Sequence, residues 1–261
     1  MLAAYLTRGV KAGLVAGLVL GLFVALVANP LVAYADGTNH AAGGSQAESD
    51  HAVGGGHDHG GDTQHGSAVS AAVTEGVSVL TSGLWGVLLG GVVFGIAFYF
   101  LEPAIPGTGA TKSYLLGVAG FVTVSGAPWL VLPPAPPGAA QSLAVTTRLL
   151  LYGGMMVAGA LACLLSGFVY NRASASAGPI AGAVGALLPF GILAVPAALA
   201  PTNTVSGALG PDLRAGLVGL AVFGQALLWL LLAVTHAQLH SAAAAAAEYA
   251  EPTPDGTATA D

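Results

Sequence analysis

Six long apolar stretches are the feature of this sequence that most limits what it can fold into. About 20 helical residues cross the hydrocarbon core of a bilayer, which is roughly 30 Å thick, and each stretch comes close to that length or exceeds it. The six stretches are residues 12–35, 77–101, 114–132, 145–170, 179–200 and 215–237. The sequence therefore predicts an all-α integral membrane protein with about six transmembrane helices.

The scarcity of charge excludes several classes of protein. Only 7% of the residues are charged, whereas a soluble protein carries roughly 25%, so an ordinary soluble enzyme is excluded. The formal net charge of -6 without a basic cluster argues against a nucleic-acid partner. The one cysteine, Cys163, allows neither an intrachain disulfide nor a cysteine-based metal centre. No catalytic arrangement and no phosphate-binding loop is legible, and we expect no enzymatic activity and no organic cofactor.

Polar segments divide the chain. Residues 1–241 form the predicted membrane domain, and residues 36–76 form a long loop between its first two helices. Residues 242–261 are an alanine-rich helical extension followed by a polar tail.

Basic residues predict the orientation, because the cytoplasmic side of a membrane protein carries the excess of Lys and Arg. With both termini in the cytoplasm and the 36–76 loop outside, the inner side receives Arg8, Lys11, Lys112 and Arg172, and the outer side receives Arg148 and Arg214. We therefore expect a multi-pass protein of the cytoplasmic membrane.

The first stretch allows two interpretations. Basic residues, an apolar run and the small residues of 33–35 are typical of a cleaved signal peptide. The run is longer than a signal core, however, and Gly9, Gly13, Gly17 and Gly21 recur every fourth residue along it. A line of glycines on one helical face allows close approach of another helix, within the chain or in a second copy. This pattern favours a retained helix.

The exits of two helices are similar. Prolines end the stretch before residue 133 and the stretch before residue 201, and each exit loop leads to an arginine, Arg148 or Arg214. This similarity is consistent with a duplicated helical hairpin and with three hairpins in all. The alternative is that proline simply favours helix ends.

The 36–76 loop contains most of the residues that suit metal chemistry. Imidazole binds zinc, copper, nickel and related divalent ions, and neighbouring carboxylates add charge and oxygen ligands. The candidate ligands are His40, His51, His57, Asp58, His59 and His65. Glycines between them allow the loop to wrap around an ion, and the composition predicts capture of a divalent transition metal. The alternative is a disordered loop whose histidines are simply solvated.

A second pair of histidines lies in the last apolar stretch. His236 and His240 are four residues apart, so both imidazoles project from one face of a helix. This spacing can hold a metal ion. The alternative, which the position at the end of the stretch favours, is that the pair are interfacial polar residues that end a membrane helix. Four neutral polar residues within the stretches are Asn29, Ser125, Ser166 and Gln225, and we expect them to form hydrogen bonds between helices. The alternative is that they line a path through the membrane.

The order of these parts resembles the CbtA family, the predicted cobalt transporter subunits. A glycine-rich first helix leaves through Asn29-Pro30-Leu31, where the family tends to have a Glu-Pro-Leu-like exit, and a histidine-bearing segment follows. The third helix contains Ala127-Pro128 and leaves through the proline-rich segment 132–138. The resemblance implies uptake of cobalt for cobalamin supply, often beside a small one-span partner, CbtB, that carries its own histidines.

Two functions therefore stay open. The first is a permease subunit for a divalent transition-metal ion, with cobalt favoured as the substrate and nickel or zinc possible, in which the outer loop captures the ion. The second is a non-transporting membrane subunit for assembly or scaffolding, whose loop senses or buffers metal. The bilayer, a CbtB-like partner and a second copy of the chain are the expected partners.

Overall fold

The structure, a computed structural model, describes residues 2–35, 37, 71–136, 138–207 and 209–250. The described chain is mostly helical, as the sequence predicts. Its one sheet within these ranges has two short strands. Three of the helical segments contain a π-helical stretch, in which the wider turn interrupts the regular backbone ladder.

The first two helical segments run antiparallel. Helix α1 spans Leu2–Phe23 and continues through the π-helical stretch Val24–Ala28 towards residue 35. Helix α2 spans Ala71–Val87 and passes through the π-helical stretch Leu88–Phe94 into helix α3, Gly95–Leu101. The predicted glycine line of α1 faces this segment, and all four of its glycines are buried.

The backbones of α1 and α2 touch. A Cβ atom added to Gly13 would collide with the carbonyl oxygen of Gly86 and would lie 2.8 Å from the Cα of Gly90. A Cβ added to Gly86 would lie 2.7 Å from the Cα of Gly17. No side chain fits between two backbones at such distances, so the predicted close approach of another helix to the glycine line is confirmed.

Helix α4, Ala110–Phe121, and helix α8, Pro211–Ala250, form a second antiparallel pair. Helix α4 continues through the π-helical stretch Val122–Gly126 into the short helix α5, Ala127–Trp129. Helix α8 contributes the ring of Trp229, which fills the space beside Gly120, and the side chain of Ala233, which fills the space beside Gly117. Helix α8 also packs along α1, where the rings of Phe23 and Phe223 are 5.3 Å apart. These contacts place α8 between α1 and α4.

A long helix reverses direction at one glycine. Helix α6 spans Val145–Gly185, but Gly178 within it has φ 86° and ψ 171°, a conformation that is essentially restricted to glycine. Pro179 follows and cannot continue the hydrogen-bond ladder. After this break the chain folds back, so that Ser166 Oγ donates a hydrogen bond to the carbonyl oxygen of Ala186 at 2.7 Å. The returning segment is a 3-10 helix, Leu188–Leu193, and then helix α7, Ala194–Leu199.

The two proline-bearing exits pair with each other. Strand β1, Ala140–Gln141, lies antiparallel to strand β2, Val205–Ser206. The side chain of Asn203 reinforces this contact, because its Nδ2 donates to Gln141 Oε1 at 2.9 Å and its Oδ1 accepts from the Leu143 backbone N–H at 3.3 Å. The similarity between the two exits is thus accompanied by direct pairing, at the end of the bundle where α6 and α8 begin.

The outer faces of the helices expose large apolar side chains. Ile180, Leu199 and Leu188 are each more than three-quarters exposed. A large exposed apolar patch is unfavourable in water, whereas contact of such a patch with lipid is favourable. Within the described residues, four helices are long and apolar enough to cross a membrane: Leu2–Ala35, Val79–Leu101, Val145–Leu199 and Pro211–Ala243. The third includes the reversal at Gly178, and the α4 segment falls outside the four. The count of six therefore stays a prediction.

Candidate functional site

Polar side chains from three helices and from the residue that follows α3 meet at one end of the bundle. This is the end where α1 begins, α3 ends, α4 begins and the polar part of α8 lies. We call the group the Glu102 cluster. It consists of Tyr5, Glu102, Lys112, Ser113, His236 and His240.

Glu102 is the centre of the cluster. It follows the last residue of α3, where Pro103 prevents the helix from continuing. Tyr5 Oη donates a hydrogen bond to Glu102 Oε2 at 2.5 Å. The other carboxylate oxygen, Oε1, lies 3.9 Å from Lys112 Nζ and 3.7 Å from His240 Nε2. One carboxylate therefore joins α1, α4 and α8.

His236 lies deeper in the bundle than the rest of the cluster. Its side chain is fully buried, and its Nδ1 is 2.9 Å from Ser113 Oγ, which is also fully buried. The rings of Phe94 and Phe98 enclose the imidazole, with centroids 5.1 Å and 4.6 Å from its own. These phenylalanines belong to the main core cluster and keep the imidazole away from water.

Two imidazole nitrogens of the cluster lack a hydrogen-bond partner among the described residues. They are Nε2 of His236 and Nε2 of His240, and both are buried. A buried polar atom without a partner loses its hydration without compensation, so such atoms are rare in folded proteins. The two rings are 6.4 Å apart and lie on one face of α8, as their spacing predicts.

Solvent access increases from His236 towards the end of the bundle. The side chains of His240, Lys112 and Glu102 are between 18% and 23% exposed, whereas His236 is inaccessible. Arg8 lies over the ring of Tyr5, with Cζ 5.2 Å from the ring centroid. The cluster thus runs from the buried imidazole of His236 to a rim that carries the carboxylate of Glu102. The cations at this rim are Lys112 and, beside the cluster, Arg8.

Imidazole and carboxylate groups are ligands for divalent transition metals. In the described part of the chain, however, no group of three or more His, Cys, Asp or Glu side chains is close enough to hold a metal ion. The cluster therefore offers separate metal ligands, one after another in space, and no complete coordination site.

Of the eight predicted metal ligands, the structure describes His236 and His240. These two share a face of α8, and metal binding by them stays a prediction. The six predicted ligands in the 36–76 loop lie outside the described residues: His40, His51, His57, Asp58, His59 and His65. Ser125 Oγ donates to Gln225 Oε1 at 3.3 Å, between α8 and the segment after α4. Together with the bond from Ser166, this contact confirms the predicted hydrogen bonds between helices for Ser125, Ser166 and Gln225.

Several members of the cluster are not predicted by the sequence. Tyr5 is 97 residues from Glu102, and Ser113 is 123 residues from His236, so only the tertiary fold brings these pairs together. One local signal does exist. Lys112 and Ser113 are adjacent polar residues just before the third apolar stretch, and Glu102 directly follows the second. Their positions indicate that polar side chains lie close together at this end of the bundle.

Comparison with known proteins identifies a family. The model of the CbtA family, described as "Probable cobalt transporter subunit (CbtA)", matches residues 2–241. This range includes every residue of the Glu102 cluster. Neither the curated proteins nor the solved structures contain a match to the chain.

Proposed function

The chain belongs to the CbtA family, and from this membership we propose that it is a membrane permease subunit for uptake of a divalent transition-metal ion. Cobalt is the proposed substrate and cobalamin synthesis its proposed use. The apolar helices and the family support a multi-pass membrane protein, and the family is described as probable cobalt transporter subunits. The ion, its use and the route through the chain are the parts that we propose.

The observation that carries the proposal is the buried imidazole of His236. Its Nε2 has no partner among the described residues, in a bundle whose interior is otherwise mostly apolar. An ionisable group at such a position is costly and commonly marks the path of a substrate or ion through a membrane protein. A cobalt ion is a suitable substrate for such a path, because imidazole binds this class of metal well.

The 36–76 loop is proposed to collect the ion outside the membrane. Its five histidines and interspersed carboxylates are ligands of the right type for a divalent transition metal. The ion then enters between the helices and leaves at the Glu102 cluster on the cytoplasmic side. A small one-span subunit with histidines of its own is the proposed partner.

The primary experiment measures accumulation of radioactive cobalt in cells under cobalt starvation, with the gene deleted and then restored. Nickel, zinc and magnesium are added as competitors. We expect uptake to fall on deletion and to return on restoration, with competition from nickel stronger than from magnesium. Unchanged uptake in the deletion strain contradicts the transport proposal. Proteoliposomes that move no ion, prepared from protein that co-purifies stoichiometrically with another complex, support an assembly subunit instead.

A second experiment tests the loop. We expect replacement of its five histidines by alanine to reduce uptake most strongly at low cobalt concentration, because capture limits uptake there. The matched control replaces five other polar residues of the same loop by alanine: Ser45, Ser49, Thr63, Gln64 and Ser67. Equal uptake by the two variants at every cobalt concentration removes the capture role from the histidines.

A further inference from the structure

We propose that His236, His240 and Glu102 act as a relay of single ligands that passes a divalent transition-metal ion from the dry interior to the rim of the bundle. This inference rests on the proposed function and adds to it a site, an order of contacts and a release step. It starts from His236 Nε2 and His240 Nε2, which lie on one face of α8 and accept or donate no hydrogen bond among the described residues. His240 Nε2 does lie 3.7 Å from Glu102 Oε1, at ion-pair distance.

The hydrogen bond to Ser113 prepares His236 for the first contact. A neutral imidazole has one N–H and one lone pair, and the partner of one nitrogen determines the role of the other. When Nδ1–H donates to Ser113 Oγ, Nε2 carries the lone pair that a metal needs. Metal-binding histidines commonly donate their second nitrogen in this way, which fixes the ring orientation. The 2.9 Å distance between these atoms fits that arrangement.

The spacing of the ligands suits passage and not storage. The imidazole centroids of His236 and His240 are 6.4 Å apart, and His240 Nε2 is 3.7 Å from Glu102 Oε1. The ligands are thus neighbours in space, but the three do not close on one point. A transport site has to bind an ion well enough to admit it and weakly enough to release it, and separate successive ligands meet this requirement.

Glu102 provides the release step. Without the ion its carboxylate is occupied by Tyr5 and faces Lys112 and His240. A divalent ion at His240 competes with Lys112 for the carboxylate because it carries twice the charge. Once Glu102 is neutralised by the ion, the positive charges of Lys112 and Arg8 at the rim repel the ion and favour its departure into water.

The ligand chemistry defines the substrate class. Two imidazoles and one carboxylate suit cobalt, nickel and zinc, whereas magnesium and calcium prefer sites made of oxygen ligands alone. The relay therefore admits divalent transition metals as a class. It discriminates poorly among them, so selection for cobalt has to lie elsewhere in the transporter.

The test uses the full chain with His240→Gln, Glu102→Gln and His236→Asn, and Gln238→Ala as the matched control. Gln238 lies on α8 between the two histidines and is exposed. Loss of even an outer-shell partner of a metal ligand costs about 10–100-fold in affinity or activity. We therefore expect each of the three variants to lose at least about tenfold in cobalt uptake, and Gln238→Ala to retain it.

A spectroscopic measurement separates ligand loss from misfolding. Cobalt X-ray absorption is recorded on the purified full chain in which the five loop histidines are alanine, so that the remaining imidazole signal comes from α8. We expect this signal to weaken in His240→Gln and His236→Asn and to stay unchanged in Gln238→Ala. His240 and Glu102 are partly exposed, so their variants keep the test decisive even when His236→Asn does not fold.

The outcomes distinguish the relay from the proposed function. The relay is overturned when folded His240→Gln and Glu102→Gln take up cobalt normally and the imidazole signal of His240→Gln is unchanged. Transport by the wild-type chain is unaffected by that result. No uptake by the wild-type chain overturns the proposed function. In that case an imidazole signal that depends on His236 and His240 shows that the site binds metal without transport.

Discussion

The pair formed by α1 and α2 differs sharply from the hairpin formed by α6 and α7. In the most apolar part of Leu2–Ala35, 33% of the residues are buried within the chain, whereas the corresponding value for Val145–Leu199 is 11%. The first region is held by backbone contacts between glycines. The second is attached through a small core of Ala127, Met155, Ala162 and Leu193.

The difference shows which part of the molecule holds the polar site. Tyr5, Ser113, His236 and His240 lie on α1, α4 and α8, and Glu102 directly follows α3. The hairpin reaches this end of the bundle through Asn171, whose Nδ2 donates to the carbonyl oxygen of Ala104 at 3.3 Å. Helices without side chains between them cannot slide easily, so the tightly packed half keeps the ligands in register. The loosely packed half presents apolar side chains outwards.

The largest effect is expected from Gly13→Leu. Its side chain would have to enter the space occupied by the backbone of Gly86 and Gly90. Overpacking costs about 1–3 kcal/mol even where side chains can yield, and a backbone yields less, so we expect little folded protein. Gly153→Leu is the control, because nothing lies within 4 Å of a Cβ at Gly153. Thermal stability in detergent is the measurement, and equal stability of the two variants would contradict the packing contrast.

A smaller effect is expected from Gly178→Ala. An L-amino acid at φ 86° and ψ 171° is strained, and such a conformation costs about 1–3 kcal/mol. The strain falls on the reversal of the hairpin, so we expect a lower melting temperature without loss of the contacts between α1 and α2. Gly167→Ala tests the same residue change in regular helix, where nothing lies within 4 Å of the added Cβ. A Gly178→Ala protein as stable as Gly167→Ala would show that the reversal does not need glycine.

The smallest effect is expected from Ser125→Ala. It removes the 3.3 Å hydrogen bond to Gln225, which joins the segment after α4 to α8. Hydrogen bonds between membrane helices contribute about 0.6 kcal/mol on average. Ser176→Ala is the matched control, because Ser176 Oγ bonds to carbonyl oxygens of its own helix at Arg172 and Ala173. A difference between the two variants of more than about 2 kcal/mol would mean that Ser125 does more than join helices.

The sequence predicts local features of this fold well and their partners poorly. The spacing of Gly9, Gly13, Gly17 and Gly21 predicts a close helix contact, because a four-residue repeat follows one face of a helix. It does not identify Gly86 and Gly90 as the opposing residues, since that requires knowing which helices are neighbours. The pairing of β1 with β2 is equally absent from local patterns, because two-residue strands are too short to leave a periodic signal.

The candidate site shows the same division. The four-residue spacing of His236 and His240 places both on one face of α8, and Pro103 shows that Glu102 ends a helix. The fold alone brings Tyr5 and Ser113 to these residues. The hydrogen bond from Ser113 and the enclosure by Phe94 and Phe98 depend on the angle between helices, which composition and spacing leave undetermined.

The backbone contact between α1 and α2 also limits how the gene can change. Every amino acid other than glycine carries a Cβ, so any missense change in the codons for Gly13, Gly86 or Gly90 adds an atom where the neighbouring backbone already lies. In a saturation library selected for cobalt uptake, these codons should retain only their synonymous variants. The codons for Gly153 and Gly154, where an added Cβ meets nothing within 4 Å, should accept apolar replacements freely.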